Sequence, residues 1–195
     1  MGIEISGRIR DLRKLMKKAS ISAMVVSKTA NVWYVTGFRG EDSWAVVTDK
    51  KVFLLTDSRY TEQAEGECAG CEIIDRKGPM AKAVAEVLGG RKVKGRIAVE
   101  DELSIAAQKA LGKELGVRLH TSGGMIESLR QVKSDDEIQL IKKAGKIATA
   151  ALDEALELVR VGMSEGELAG MINLNIRKRG WRESFETIVA FGERV

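Results

Sequence analysis

Proline, histidine, cysteine and aromatic residues are all scarce in this chain. Its 195 residues include one proline, one histidine and two cysteines, and aromatics make up 5%. Each shortage excludes something. The single histidine, His120, cannot support a Ser–His or Cys–His catalytic arrangement, and a zinc site would lack ligands even if both cysteines joined it. One proline (Pro79) argues against a Pro-rich linker or disordered tract, and 44% hydrophobic with 31% charged residues is ordinary globular composition. No apolar run is long enough to span a bilayer. The opening Met1-Gly-Ile-Glu-Ile lacks the basic and apolar segments of a secretory leader. It fits an acylation pattern only loosely, and helical packing explains it better. The expectation is a cytoplasmic protein with no membrane partner. G-x-G-x-x-G, Walker, H-E-x-x-H and G-x-S-x-G motifs are absent as well.

Charge is present in both signs and dispersed. The net +4 comes from 32 basic and 28 acidic residues, without the clustered basic face that nucleic acid requires, so no nucleic-acid partner is expected. The densest basic runs, at 17–18, 91–94 and 177–179, read as solvated helix ends or loops. Cys68-Ala-Gly-Cys71 follows a helical segment and precedes the strand-like 72–75. A redox pair belongs at the start of a helix, where the N-terminus stabilises a thiolate; with the order reversed, ordinary packing is the reading.

Periodicity organises the rest. Residues 8–19 read as an amphipathic helix with Ile9, Leu12, Leu15 and Met16 on one face. Ala23-Met-Val-Val26 reads as a buried strand, and 44–48 with 51–56 as a hairpin turning at Asp49-Lys50. A helix over 58–66, a strand over 71–75, a helix over 80–88 closed by Gly89-Gly90 and a strand over 96–100 follow. A helix over 103–115 ended by Gly116 and a strand over 117–120 complete the series. Such alternation with one hairpin predicts an α/β fold: a mixed sheet covered by helices. The character changes near Thr121-Ser-Gly-Gly124. Ser134 with Glu137, and Ser164 with Glu167, are capping boxes opening helices that run to Val159 and Arg179. Residues 185–190 then read as a strand entering a core at the end of the chain, which gives the expectation of an interrupted second domain. The expected division is 1–124, a linker over 125–134, and 135–195.

Acidic groups occur at Glu41-Asp42, Glu100-Asp101-Glu102 and Asp135-Asp136-Glu137; the last two read as charges at helix starts. The loop Thr36-Gly-Phe-Arg-Gly-Glu-Asp-Ser-Trp44 mixes glycine, an aromatic and an arginine. Arginine presents a planar fork suited to a carboxylate, and loops on rigid scaffolds often carry recognition. The competing reading is a surface loop whose Phe38 is tucked into the core.

Asn31-Val-Trp-Tyr-Val-Thr-Gly-Phe38 and Leu55-Thr-Asp-Ser-Arg-Tyr-Thr-Glu-Gln-Ala64 resemble the N-terminal domain of Xaa-Pro aminopeptidases, prolidases and creatinase. Ile126-Glu-Ser-Leu-Arg130 with Lys133-Ser-Asp-Asp-Glu-Ile138 resembles the family's linker and first pita-bread helix. Val161-Gly-Met-Ser-Glu165 and Ser184-Phe-Glu-Thr-Ile-Val-Ala190 resemble its next turn and first pita-bread strand. The resemblance implies a creatinase/prolidase-type N-terminal domain followed by an incomplete α+β pita-bread segment. For the complete protein it implies a homodimeric peptidase acting on peptides with proline at the second position, using a divalent metal pair (Mn, Co or Zn). The family's metal ligands and catalytic histidines fall beyond the position matching Gly192, so no catalytic or metal residue carries over, and this chain alone is expected to be inactive. The implied roles here are substrate gating and dimer contacts, with Phe38, Arg39 and Trp44 as substrate-binding candidates. Asp57, Arg59 and Tyr60 match a family motif and are expected to be structural. The other reading is a non-catalytic interaction module of a pseudo-peptidase, or a truncated gene relic.

Overall fold

The alternating apolar residues of the strands sort onto the two faces of one sheet. A computed structural model describes residues 4–68, 70–89 and 94–194, which fall into two compact units, 1–132 and 133–195. Met1-Gly2, Ala69 of the C-A-G-C segment, Gly90 and most of the basic run at 91–94 lie outside the described residues.

In the first unit, helix α1 (Ile5–Lys18) leads to β1 (Ile21–Val26), α2 (Thr29–Thr36) and the hairpin β2 (Trp44–Thr48) and β3 (Val52–Thr56). Then come α3 (Thr61–Glu67), β4 (Glu72–Asp75), α4 (Met80–Val87), β5 (Arg96–Val99), α5 (Ile105–Leu115), β6 (Leu119–Thr121) and α6 (Met125–Gln131). The strands form one sheet in the order β4-β3-β2-β1-β5-β6. β1–β2 and β2–β3 are antiparallel, and β3–β4, β1–β5 and β5–β6 are parallel. The expected mixed α/β sheet with flanking helices is therefore present.

Both faces are covered, which is why β1 is an almost unbroken apolar run. Met24 and Val26 join one core with Ile9, Leu12 and Met16 of α1, Val32 and Val35 of α2 and Ile126 of α6. Val25 points into the other, with Ala81 and Val84 of α4 and Leu111 and Leu115 of α5. In α1 the buried positions Ile5, Ile9, Leu12 and Met16 follow helical spacing. Arg8 shares that buried face because its guanidinium donates to the Tyr34 carbonyl at 3.2 Å and lies 4.2 Å from the Tyr34 ring centroid. Residues 125–131, expected as linker, form a helix whose Ile126 is fully buried in the first unit's core.

The second unit contains α7 (Asp135–Leu156), α8 (Glu165–Lys178) and a single 3-10 turn at Gly192–Arg194. Both expected capping boxes are formed: the Ser134 and Ser164 hydroxyls accept from the Glu137 and Glu167 amides, and each glutamate accepts from the capping serine's amide. Ala155, Met163 and Leu168 make a small core, and the Asn175 side chain donates to the Ala151 carbonyl across the helices. The strand expected at 185–190 does not form; Phe185 is 75% and Ile188 84% exposed. A strand needs a neighbouring backbone to bond to, and the described residues of this unit form helices only.

Candidate functional site

The segment from Gly37 to Ser43 joins α2 to β2 and is fixed at both ends by packing. Gly37 adopts φ +84, which ends α2, and a Cβ there would stand 3.0 Å from the Glu67 carbonyl oxygen, so glycine is required twice over. Phe38 is completely buried and meets Tyr60 edge-on at 6.0 Å between centroids. Gly40 lies under that ring; a Cβ would come within 2.2 Å of it. Phe38 therefore anchors the loop in the core, as the reading that tucked its ring there has it, and not on the loop's outer surface. Trp44 is half-buried at the start of β2, opposite Leu55, and packs against the core of α4 and α5. The loop's exposed basic side chain is Arg39. Its amide donates to Glu67 Oε2 at 2.7 Å, its guanidinium stands 5.9 Å from the Trp33 ring centroid, and among the described residues no ion pair ties that guanidinium down. Neither Trp33 nor Glu67 was singled out from the sequence, because a 28-residue separation hides the Glu67 contact.

An ion network braces the loop's far end. Asp42, held at φ +50, accepts from Arg59 Nη2 at 2.6 Å and Arg76 Nη2 at 2.9 Å. Asp57 is gripped by Arg59 through Nε at 2.9 Å and Nη2 at 2.7 Å, and by Arg76 at 3.4 Å. Arg59 also lies over the Tyr60 ring. This is the structural role expected for Asp57, Arg59 and Tyr60. The Arg59 hydrogen bonds hold the Asp57 carboxyl far below the usual carboxylate range, and the pair drives Arg59 upward. An unfolded aspartate titrates near ~3.9. A folded value below that gives stability that is full above the unfolded value and is lost as pH falls toward the folded one. Asp57→Asn is accordingly expected to weaken the first unit in urea at about pH 6, with the gap to wild type shrinking by about pH 2.5. An equal gap at both pH values would remove the carboxylate from the account.

A second polar cluster lies at the carboxyl ends of β1 and β5. Glu100 is 4% exposed; its Oε2 accepts from the Ser27 and Lys28 amides at 2.6 Å each, and its Oε1 from Asn31 at 2.7 Å. Asn31 also bonds Glu127 and Arg130 of α6, and Lys28 pairs with Glu102. The sequence reading assigned Glu100 to the start of its own following helix; its carboxylate instead caps α2, across the sheet. Every polar atom in this account has a protein partner, so the cluster is architecture.

The donor set does not fit a metal pair. Among the described residues no three His, Cys, Asp or Glu side chains converge to hold a metal ion, and His120 sits on β6 against Arg96. No helix among the described residues is long and apolar enough to cross a membrane.

A six-stranded mixed sheet between two layers of helices, with a displayed arginine on the loop entering its central hairpin and a separate helical unit after it, defines a two-domain α/β protein. The chain belongs to the creatinase/prolidase N-terminal domain family over residues 8–132, and residues 139–195 match metallopeptidase family M24. A Bacillus subtilis (strain 168) protein described as the uncharacterized peptidase YqhT is 30% identical over 96% of this chain and 54% of its own length. The chain thus spans about half the length of the curated relatives it matches. Among solved structures, the Xaa-Pro dipeptidase from Bacillus anthracis is 27% identical with a TM-score of 0.83, over 90% of this chain and 50% of that one. An Xaa-Pro aminopeptidase structure from Streptococcus pyogenes is 32% identical with a TM-score of 0.59, over 64% of this chain and 96% of that one.

Proposed function

We propose that this chain supplies the N-terminal portion of a proline-specific metallopeptidase, an Xaa-Pro aminopeptidase or dipeptidase, in which it gates the substrate and makes dimer contacts. The observation that carries the reading is the Arg39 loop: a guanidinium without an ion-pair partner among the described residues, backed by Trp33, on a segment locked by Phe38 and Glu67. An exposed guanidinium on a rigid loop suits the terminal carboxylate of a short peptide with proline at its second position. Trp44 contributes through the base of the loop, and Phe38 through anchoring it. The metal pair and the groups that activate water belong to the remainder of the metallopeptidase domain, and the peptidase operates in the cytoplasm.

The test has two parts. The purified chain, supplied with Mn, Co or Zn and an Xaa-Pro dipeptide, is expected to release no proline. In a protein joining this chain to a complete metallopeptidase domain, Arg39→Ala is expected to raise KM about tenfold with little change in kcat, as loss of one charge-assisted contact would. Proline release by the chain alone, or an Arg39→Ala protein with unchanged KM, overturns the corresponding half of the reading.

One observation favours a second reading, a non-catalytic interaction module. Ile141 and Phe185 stand 58% and 75% exposed beside Ile188 along a groove of about 540 Å³ in the second unit. Such a face favours self-association, and strictly monomeric light scattering at high concentration would count against it.

A further inference from the structure

We propose that the outer edge of β6 is a docking strand for an extended acidic segment of another polypeptide, which adds to the sheet in the groove between β6 and α5. β6 ends the sheet order and is bonded to β5 alone. Just past its last residue, the Ser122 amide donates to the Val99 carbonyl at 2.8 Å, toward β5. Backbone groups alternate in direction along a strand, so those of His120 share that side and those of Leu119 and Thr121 point outward. Outward amides and carbonyls on an edge are what an added strand bonds. β1 and β5 separate this edge from the hairpin that the Arg39 loop enters, so the inference stands apart from the peptidase reading.

The groove's lining selects the partner's chemistry. Its volume is about 530 Å³; α5 contributes Ile105, Gln108 and Lys109, and the edge contributes Arg118 and Leu119. Ile105 is 71% exposed, an apolar contact for one side chain of the incoming strand. Lys109 and Arg118 are exposed, and neither enters an ion pair among the described residues. No acidic side chain lines the groove among the described residues. The opposite edge differs: on β4, Glu72 pairs with Lys51 and Asp75 with Lys77, so its charges are answered within the chain. Unanswered cations at β6 select an acidic partner by charge complementarity. They also disfavour a second copy of this chain, whose own Lys109 and Arg118 would come back as like charges beside them.

The experiment titrates the intact chain with an acetylated, amidated heptapeptide of alternating glutamate and valine, and follows binding and amide hydrogen exchange. Saturating peptide is expected to slow exchange at Leu119 and Thr121 by about tenfold or more, as new backbone hydrogen bonds require. The Ser122 amide, already bonded to Val99, should change little. Lys109→Glu combined with Arg118→Glu, both at exposed positions, should weaken binding at least about tenfold. The same peptide with lysine in place of glutamate should not bind. Absence of binding would leave the two cations as guards of the edge and overturn the proposal. Binding without slowed exchange at Leu119 and Thr121, or binding that the double variant or the lysine peptide matches, would reduce it to nonspecific attraction and overturn it equally.

Discussion

Replacing Phe38 by alanine is expected to lower the stability of the first unit by about 3–5 kcal/mol, the range for truncating a fully buried phenylalanine. The midpoint of thermal unfolding should fall by on the order of 10 °C. The reasons are local and visible. The ring has no exposed surface, meets Tyr60 edge-on, and fills the space that Gly40 leaves by having no side chain. Deleting it empties a cavity that rigid backbone at Gly37 and Gly40 cannot collapse to fill. Phe38→Leu keeps most of the volume and should cost less than about 1.5 kcal/mol. Denaturation followed by Trp33 and Trp44, both in the first unit, separates this loss from the second unit, which Trp181 reports. A Phe38→Ala protein as stable as wild type would show that the loop is not anchored by this ring.

Glu100→Ala is expected to cost about 3 kcal/mol or more, since it removes a buried carboxylate that two backbone amides and the Asn31 side chain donate to. The Ser27 and Lys28 amides both point at Oε2, and Asn31 at Oε1. Glu100→Gln, nearly isosteric, should still cost about 2 kcal/mol, because a carboxamide accepts on one side only and turns an N–H toward a donor on the other. Guanidinium denaturation gives the total. Hydrogen exchange at the Ser27 and Lys28 amides localises it, with protection lost there first. If Glu100→Gln matched wild type in both readouts, the cap on α2 would be dispensable.

The contrast between these two residues shows what was legible in the chain. The helix–strand alternation, the hairpin at Asp49-Lys50 and both capping boxes were readable, because each rests on hydrogen bonds between residues a few positions apart. Arg39 was readable as an exposed basic group of the loop, since its chemistry is its own. For Phe38 two readings stood, one a ring tucked into the core and the other a substrate contact; the ring is buried, but its partner Tyr60 lies 22 positions further on and was not legible from the loop itself. Glu100 was assigned to the wrong helix for the same reason: its partners lie about seventy residues earlier. The segment 185–190 carries a strand pattern and forms no strand, because pattern states which face would be buried while pairing requires a neighbour.

The sheet order has a consequence for biosynthesis. β1 is bonded on one side to β2, about twenty residues away, and on the other to β5, where Ile21 sits opposite Arg96. As the chain leaves the ribosome, the β1–β2–β3 meander can close early, while the outer rim of β1 keeps its amides and carbonyls open until β5 emerges. During that interval Ala23-Met-Val-Val26 is an apolar strand with one free edge, available to any second nascent chain. Yield of this protein in cells should therefore respond to translation speed between residues 50 and 100 more than to the stability of the finished fold.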